Sequence, residues 1–157
     1  MVQQILPTDY KEIVALQNEV YPAFLQESMV VLTSKVFLSP HTCLVDRQGD
    51  SFRGYVLAIP YPTNEFPSLN ESVQNQDETE NIYISDCVVP TKYRGNGIAS
   101  ELIEVVIANA RLNSFKQITL VAVQGASSFW EQFGFTTVKT EVPQGYGDQA
   151  VPMIKLL

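Results

Sequence analysis

The feature that most constrains the fold is a buried strand that passes through a two-glycine loop directly into a helix. Residues 82–89 form an apolar run that ends at Pro90, and a helical pattern begins at Ile98. Gly95 and Gly97 lie in the loop, where the absence of a Cβ lets the backbone approach a bound anion closely. The first turn of a helix offers unpaired N–H groups and a partial positive charge. The pattern therefore predicts a phosphate-binding site.

The rest of the chain predicts a mixed α/β fold, with one sheet and helices on both faces. The run over 118–123 is of the buried type found in parallel sheets. The polar segment 61–80 predicts a long mobile loop. Strands are predicted over 2–6, 42–46, 52–59, 82–89, 118–123, 135–141 and 150–157, and helices over 9–21, 27–38, 98–112 and 126–133.

Composition limits the classes of partner. A chain of 157 residues is expected to form a single domain, residues 1–157. Its net charge of −7 argues against a nucleic-acid partner and is compatible with a cationic amine. No run reaches the ~18 apolar residues that span a bilayer, and no leader is evident at the N-terminus. Two isolated cysteines predict a reduced, cytoplasmic protein, and with one histidine they cannot form a metal site.

The identity of the phosphate ligand is open from the loop alone. Gly95-x-Gly97-x-x-Ser100 nearly matches the dinucleotide fingerprint, but that fold needs an acidic residue about twenty positions further on. Residues 120–124 contain no carboxylate, and no Gly-Lys-Ser/Thr supports a P-loop. A nucleotide-binding α/β protein and a glycine-rich turn that binds nothing stay as weaker alternatives.

Two blocks of sequence resemble the GNAT superfamily of N-acetyltransferases. Residues 94–99, Arg-Gly-Asn-Gly-Ile-Ala, are similar to its [Gln/Arg]-x-x-Gly-x-[Gly/Ala] signature, and residues 126–135 to its Ala-x-x-Phe-Tyr-x-x-x-Gly-Phe block. Within the superfamily the chain looks closest to uncharacterised bacterial members. It shares with them Tyr-Ile-x-Asp at 83–86, Leu-Val-Ala-Val-Gln at 120–124 and Tyr-Gly at 146–147. The resemblance is good over residues 82–157.

The resemblance implies a mostly antiparallel sheet of six or seven strands, splayed at its centre. It also implies acetyl-CoA as co-substrate and direct attack by a primary amine in a ternary complex. The acceptor would be a small-molecule or peptide amine, and enzymes of this type often form homodimers. The implied CoA-binding residues are Cys87, Val88, Val89, Arg94, Gly95, Asn96, Gly97, Ile98, Ala99, Ser127 and Trp130.

The proton chemistry departs from the family pattern. The family's usual general acid is a tyrosine, but Trp130 occupies that position here, and an indole cannot deliver a proton at neutral pH. Trp130 would either shape the CoA pocket or belong to the core. Tyr146, between two glycines, is the replacement candidate for the acid, against a plain loop tyrosine. Loss of turnover, leaving an acyl-CoA-binding module, is the alternative function.

Asp86 is the candidate general base. It lies among apolar neighbours at the end of a predicted strand, where burial would raise the pKa of its carboxyl group. Strict alternation along the strand puts it on one face with Ile84 and Val88, and Cys87 on the other. The alternative is a structural aspartate with hydrogen-bond partners of its own. The acidic run 77–80 would be a solvated loop or would attract a cationic substrate.

Overall fold

The chain folds into a seven-stranded sheet with helices on both faces. The computed structural model describes residues 1–75 and 78–157. Its strands are β1 (Val2–Gln4), β2 (Leu44–Gln48), β3 (Ser51–Pro60), β4 (Asn81–Val88), β5 (Gln117–Ala122), β6 (Thr136–Thr137) and β7 (Val151–Leu156). Its helices are α1 (Tyr10–Val20), α2 (Met29–Leu38), α3 (Ile98–Leu112) and α4 (Ser127–Glu131). Within these ranges, no helix has the length and apolar character needed to cross a membrane.

The predicted fold class is confirmed. The strand order is β1-β2-β3-β4-β5-β7-β6, and every neighbouring pair is antiparallel except β4 and β5. The strand predicted over 135–141 is much shorter, because only Thr136 and Thr137 pair with β7 as a strand. Beyond them, Val138 donates one 3.0 Å hydrogen bond to the Pro152 carbonyl before the chain leaves the sheet.

Each face of the sheet has its own hydrophobic cluster. Helix α3 covers one face because Ile98, Leu102, Val106 and Ala110 recur at helical spacing and are all buried. Helices α1 and α2 cover the other face, and the Ser28 hydroxyl caps α2 by accepting a hydrogen bond from the Val31 N–H at 3.3 Å. The two layers hold β4 between them at the centre of the sheet.

Strand β4 contains a β-bulge at Ser85 that changes which face Asp86 occupies. Leu57 on β3 pairs with Asp86, but the next residue, Ala58, pairs with Ile84. The extra residue puts Asp86 on the α1/α2 face, whereas Ile84 packs with the α3 cluster. The predicted grouping of Asp86 with Ile84 is therefore wrong, because strict alternation does not hold across a bulge.

The segment expected to form a long loop contains no helix or strand in its described part. Several of its residues nevertheless attach to the body of the protein. Phe66 is buried, and the backbone N–H of Asn70 donates to Glu27 Oε2 at 2.8 Å. The Asn70 side chain in turn accepts a hydrogen bond from the Ser28 N–H at 2.8 Å. The acidic run includes Asp77, which lies outside the described residues.

Candidate active site

The sheet opens between β4 and β5. Their parallel pairing runs from Asn81 and Gln117 to Ile84 and Leu120, and no pair follows in the described chain. Beyond this point β4 continues through Ser85 to Val88, while β5 pairs with β7 on its other side. The two strands diverge at their carboxyl ends, which is where open α/β sheets place ligands.

The glycine loop has the form that the sequence predicts. Gly95 and Gly97 have φ angles of +80° and +75°, and Gly97 is the N-cap of α3 without a side-chain hydrogen bond to the first turn. A Cβ added at either glycine would meet no atom within 4 Å in the structure, so the space beside the backbone is open. Open space beside free helical N–H groups fits a phosphate group.

A groove of about 560 Å³ runs from this loop to the opening in the sheet. Most of the predicted CoA-binding residues line it: Cys87, Val88, Val89, Arg94, Gly95, Gly97, Ile98 and Ala99. Asn96 does not, because its side chain turns back to donate to the Tyr93 carbonyl at 3.0 Å. The groove is also lined by residues that the sequence interpretation left out: Val20, Tyr93, Ser100, Ala126 and Phe129.

The remaining two predicted CoA-binding residues lie beside the groove. Trp130 is buried against Phe135, with ring centroids 5.7 Å apart, and belongs to the cluster under α3. Its neighbour Phe129 faces the groove instead. Ser127 begins α4 and is not among the groove-lining residues. The core alternative that the sequence left open for Trp130 agrees with this packing.

Asp86 is buried and only partly paired. Its side chain is 7% exposed. The Tyr55 hydroxyl donates a 2.5 Å hydrogen bond to Oδ2, but Oδ1 has no hydrogen-bond partner among the described residues. Desolvation raises the pKa of the carboxyl group to about 6, against the opposing effects of Tyr55, Tyr21 and Lys35. The group is therefore ionised at neutral pH and still able to accept a proton.

A buried ion pair lies next to Asp86. Lys35 Nζ donates to Glu27 Oε1 and to Ser85 Oγ, both at 2.6 Å. Glu27 is fixed further by Gln17, whose amide group bonds both the N–H and the carbonyl of Glu27 at 2.9 Å. These contacts hold the α1–α2 connection against the end of β4.

Tyr21 is a functional candidate that sequence reasoning missed. It follows α1 directly, and its hydroxyl is close enough to the carboxyl group of Asp86 to lower the pKa of that group, although the geometry does not complete a hydrogen bond to Oδ1. Burial raises the pKa of Tyr21 well above its usual value, Asp86 and Cys87 raise it further, and Arg94 lowers it. Tyr21 thus lies beside the carboxylate and directly follows Val20, which lines the groove. No motif marks it in the sequence.

Tyr146 lies on the same side of the sheet but is held in place. It is 7% exposed, and its hydroxyl donates to the Pro67 carbonyl at 2.5 Å and lies 3.1 Å from the Tyr83 hydroxyl. Burial raises the pKa of Tyr146 to about 12. Tyr146 and Asp86 line one small cavity together with Tyr21 and Glu27.

Cys87 lines the groove as a protonated thiol. Desolvation, followed by the effect of the Asp86 charge, raises the pKa of Cys87 to about 12. A thiol with that pKa is not a nucleophile at neutral pH.

The fold is an open, mixed α/β sheet with a groove at its opening, and solved structures of other proteins share this fold. Ard1 from Thermoplasma volcanium superposes with a TM-score of 0.78 at 15% identity, covering 100% of this chain and 97% of that chain. Naa50 from Arabidopsis thaliana, in complex with the bisubstrate analogue CoA-Ac-MVNAL, gives 0.76 at 16%, covering 99% and 97%. Ribosomal-protein-alanine N-acetyltransferase from Brucella melitensis gives 0.71 at 19%, covering 100% and 99%. Identities this low show likeness of fold.

The family follows from the sequence itself. Residues 72–157 match the family model described as an acetyltransferase (GNAT) domain. The match covers more than half of the chain, which therefore belongs to the GNAT acetyltransferase family. The predicted enzyme class, an acetyl-CoA-dependent N-acetyltransferase, is confirmed at the level of the family. No curated protein sequence matches the chain.

Proposed function

We propose that the protein transfers the acetyl group of acetyl-CoA to a primary amine by direct attack in a ternary complex. The observation that carries the proposal is that two sites lie at the same opening of the sheet. A groove extends from the open glycine loop to Cys87 and Val88 at the end of β4, and the neighbouring Asp86, a buried carboxylate with one unpaired oxygen, lines a separate small cavity where β4 and β5 diverge. The first part suits a phosphate-bearing donor, and the second suits an amine.

Backbone groups of the loop and of β4 would hold the donor. Gly95 and Gly97 leave open space beside the loop backbone and line the groove, which supports binding of the pyrophosphate by backbone N–H groups at the start of α3. The Arg94 N–H is excluded from this role, because it donates to the Thr91 carbonyl at 3.2 Å. The backbone of Cys87, Val88 and Val89, which has no pairing partner on β5, would pair with the amide-rich arm of the donor at the opening. Acetyl-CoA supplies an activated thioester, so the chain's own residues need only orient it and manage protons.

Asp86 would accept a proton from the amine. Most primary amines are ammonium ions at neutral pH and become nucleophiles only after they lose a proton. A buried carboxylate whose pKa is about 6 is ionised at pH 7 and is more basic than an exposed aspartate. Its free Oδ1 supports this role, since a purely structural aspartate normally has both oxygens paired.

Two tyrosines are candidates for protonating the departing thiolate. The proposed role of Tyr146 requires its hydroxyl to leave the Pro67 carbonyl. Tyr21 needs no such movement, because it borders both the acceptor cavity and, through its neighbour Val20, the donor groove. We favour Tyr21 for this reason.

The setting of the enzyme is part of the proposal. Two free thiols and the use of acetyl-CoA support a cytoplasmic location. We propose one acetyltransferase domain over residues 1–157, acting on a small-molecule or peptide amine, with homodimer formation as in related enzymes.

Thermal unfolding with different ligands tests which class of cofactor the protein binds. Acetyl-CoA should raise the melting temperature, because a ligand that binds only the folded state stabilises it, whereas NADH and ATP should have far smaller effects. Equal shifts with all three ligands would contradict an acyl-CoA site. Thiol release should then be followed with amino acids, polyamines, aminoglycosides and peptides. Acetyl-CoA binding without thiol release from any acceptor would favour the binding-module alternative.

A further inference from the structure

We propose that the acceptor is a primary amine carried on an unbranched methylene carbon, bound as its ammonium ion in the cavity beside Asp86. The inference rests on the proposed function and narrows its acceptor class. It depends on three features of the cavity: its position, the unpaired carboxylate oxygen of Asp86 and its small volume.

The cavity lies where β4 and β5 diverge. It is lined from β4 by Ser85 and Asp86 and from β5 by Val121 and Val123, the residues that follow the last β4–β5 pair. Cys87 and Val20, which line the groove, are the chain neighbours of Asp86 and Tyr21, which line the cavity. The groove and the cavity thus meet at the same strand end, so an amine in this cavity would lie close to an acetyl group carried past β4.

Asp86 Oδ1 is the one carboxylate oxygen in the described lining of this cavity that has no hydrogen-bond partner. The other carboxylate in the lining, Glu27, uses Oε1 for Lys35 and Oε2 for the Asn70 N–H. Asp86 uses only Oδ2, for Tyr55, and its Oδ1 is buried without a partner in residues 1–75 and 78–157. An unpaired buried carboxylate oxygen is costly, and an ammonium group would satisfy both its charge and its hydrogen-bonding capacity.

The small volume of the cavity supports a preference for one kind of carbon next to the nitrogen. Its volume is about 40 Å³, enough for roughly three groups of the size of a water molecule. A CH₂–NH₃⁺ group fits this space. A nitrogen on a branched carbon, which is what every peptide N-terminus except glycine presents, would need additional room. The apolar side chains that line the cavity and would have to yield are Leu25, Leu69, Val121 and Val123.

The walls of the cavity are held by hydrogen bonds. The Tyr146 hydroxyl donates to the Pro67 carbonyl. The segment that follows Pro67 is fixed to the α1–α2 connection by two hydrogen bonds between Asn70 and residues 27–28. Leu69 lies between these attachments, and a Cβ at Gly145 would be 3.8 Å from its Cδ1. Widening the cavity would require several of these contacts to break together.

The test uses two isomeric acceptors, 1-aminobutane and 2-aminobutane, which differ in branching at the carbon that bears the nitrogen. Thiol release at saturating acetyl-CoA should give a kcat/KM at least tenfold higher for 1-aminobutane, and tri-alanine should react no faster than 2-aminobutane. Leu69→Ala widens the cavity and should reduce the preference to less than threefold. Equal rates in the wild type, or a preference for 2-aminobutane or tri-alanine, would overturn the proposal.

A binding measurement tests the ammonium site without turnover. With CoA bound in place of acetyl-CoA, Asp86→Asn should raise the Kd of 1-aminobutane at least tenfold, measured by NMR titration. Asp50→Asn makes the same chemical change in the exposed β2–β3 turn and should leave the Kd unchanged. Equal Kd values for the two variants would overturn the site.

Calorimetry with acetyl-CoA distinguishes failure of the acceptor proposal from failure of the proposed function. Acetyl-CoA binding without acetylation of any of these amines overturns the acceptor proposal and leaves the donor site intact. Absence of acetyl-CoA binding overturns the proposed function and this inference with it.

Discussion

The Tyr55 hydroxyl on β3 donates to Asp86 Oδ2 on the neighbouring strand β4. The contact is diagonal, because Tyr55 pairs with Val88 and not with Asp86. The 2.5 Å hydrogen bond fixes one oxygen of the carboxylate and leaves the other free. It also lowers the pKa of Asp86 against the larger effect of burial. The bond therefore sets both the direction and the basicity of the proposed base.

The pH dependence of activity should report this bond. If ionised Asp86 accepts the amine proton, kcat/KM should rise through the pKa of about 6. Tyr55→Phe removes a hydrogen bond that favours the ionised form, so this limb of the profile should move to higher pH. Asp86→Asn should lower kcat on the order of 10²-fold at pH 7, with partial recovery at high pH, where free amine is present. An Asp86→Asn profile that recovers nothing at high pH would indicate a structural role.

The unfolding free energy should also depend on the ionisation of Asp86, and this contribution should decrease as pH rises. Its pKa is raised from 3.8 to about 6 on folding, so the folded state holds a proton over a pH range where the unfolded state has lost it. The unfolding free energy should therefore fall between about pH 4 and pH 6, by up to about 3 kcal/mol from this group. Asp86→Asn has no such titration. Urea unfolding of both proteins at pH 4 and pH 7 should show the variant gaining stability relative to the wild type at the higher pH; parallel curves would contradict this.

The glycine loop offers a matched pair of variants. Gly97 and Gly49 both have positive φ angles, +75° and +57°, with open space where a Cβ would lie, but only Gly97 lines the groove. Gly97→Ala and Gly49→Ala should each cost about 1 kcal/mol of stability through backbone strain. Only Gly97→Ala should weaken CoA binding, by about tenfold or 1.4 kcal/mol in calorimetry. Equal CoA affinities would mean that the loop does not bind the phosphates.

Phenylalanine variants distinguish the two proton-donor candidates. Tyr21→Phe should lower kcat on the order of 10²-fold with little change in the Kd of acetyl-CoA. Tyr146→Phe should change kcat by only a few-fold, because its hydroxyl is bonded to Pro67. The reverse order would assign the role to Tyr146. Small effects in both would mean that water or substrate supplies the proton.

Removing one partner of the buried Lys35–Glu27 ion pair should destabilise the protein. Lys35→Met leaves the Glu27 carboxylate buried without its cation and should lower the unfolding free energy by about 3–5 kcal/mol. Adding Glu27→Gln should recover part of the loss. Lys11→Met, at an exposed position of α1, is the control and should change stability by less than about 0.5 kcal/mol. A Lys35→Met variant as stable as that control would contradict the assigned role of the pair.

The donor half of the site could be predicted because it is local in sequence. Residues 87–99 form a strand end, a loop and a helix start in one continuous stretch, and each has a sequence signal of its own. The same proximity explains why most of the predicted CoA-binding residues line one groove.

The acceptor half could not be predicted, because its parts are distant in sequence. Tyr21, Glu27, Leu69 and Asp86 converge through the packing of two connections on the end of β4, and no spacing rule relates them. Trp130 was ambiguous because an aromatic residue in a short helix can face either a ligand or the core. The bulge at Ser85 was invisible for a similar reason, since bulges have no strong residue signature.

The bulge determines on which face of the sheet the side chains of β4 lie. Strand side chains alternate, so the face on which a residue lies depends on whether an odd or even number of residues separates it from a fixed neighbour. Ser85 adds one to that count, and Asp86 lies with Tyr55 instead of under α3. A one-residue deletion in β4 would thus move the carboxylate into the opposite hydrophobic layer while every side chain stayed chemically the same. For this strand, the number of residues determines the site as much as their identity does.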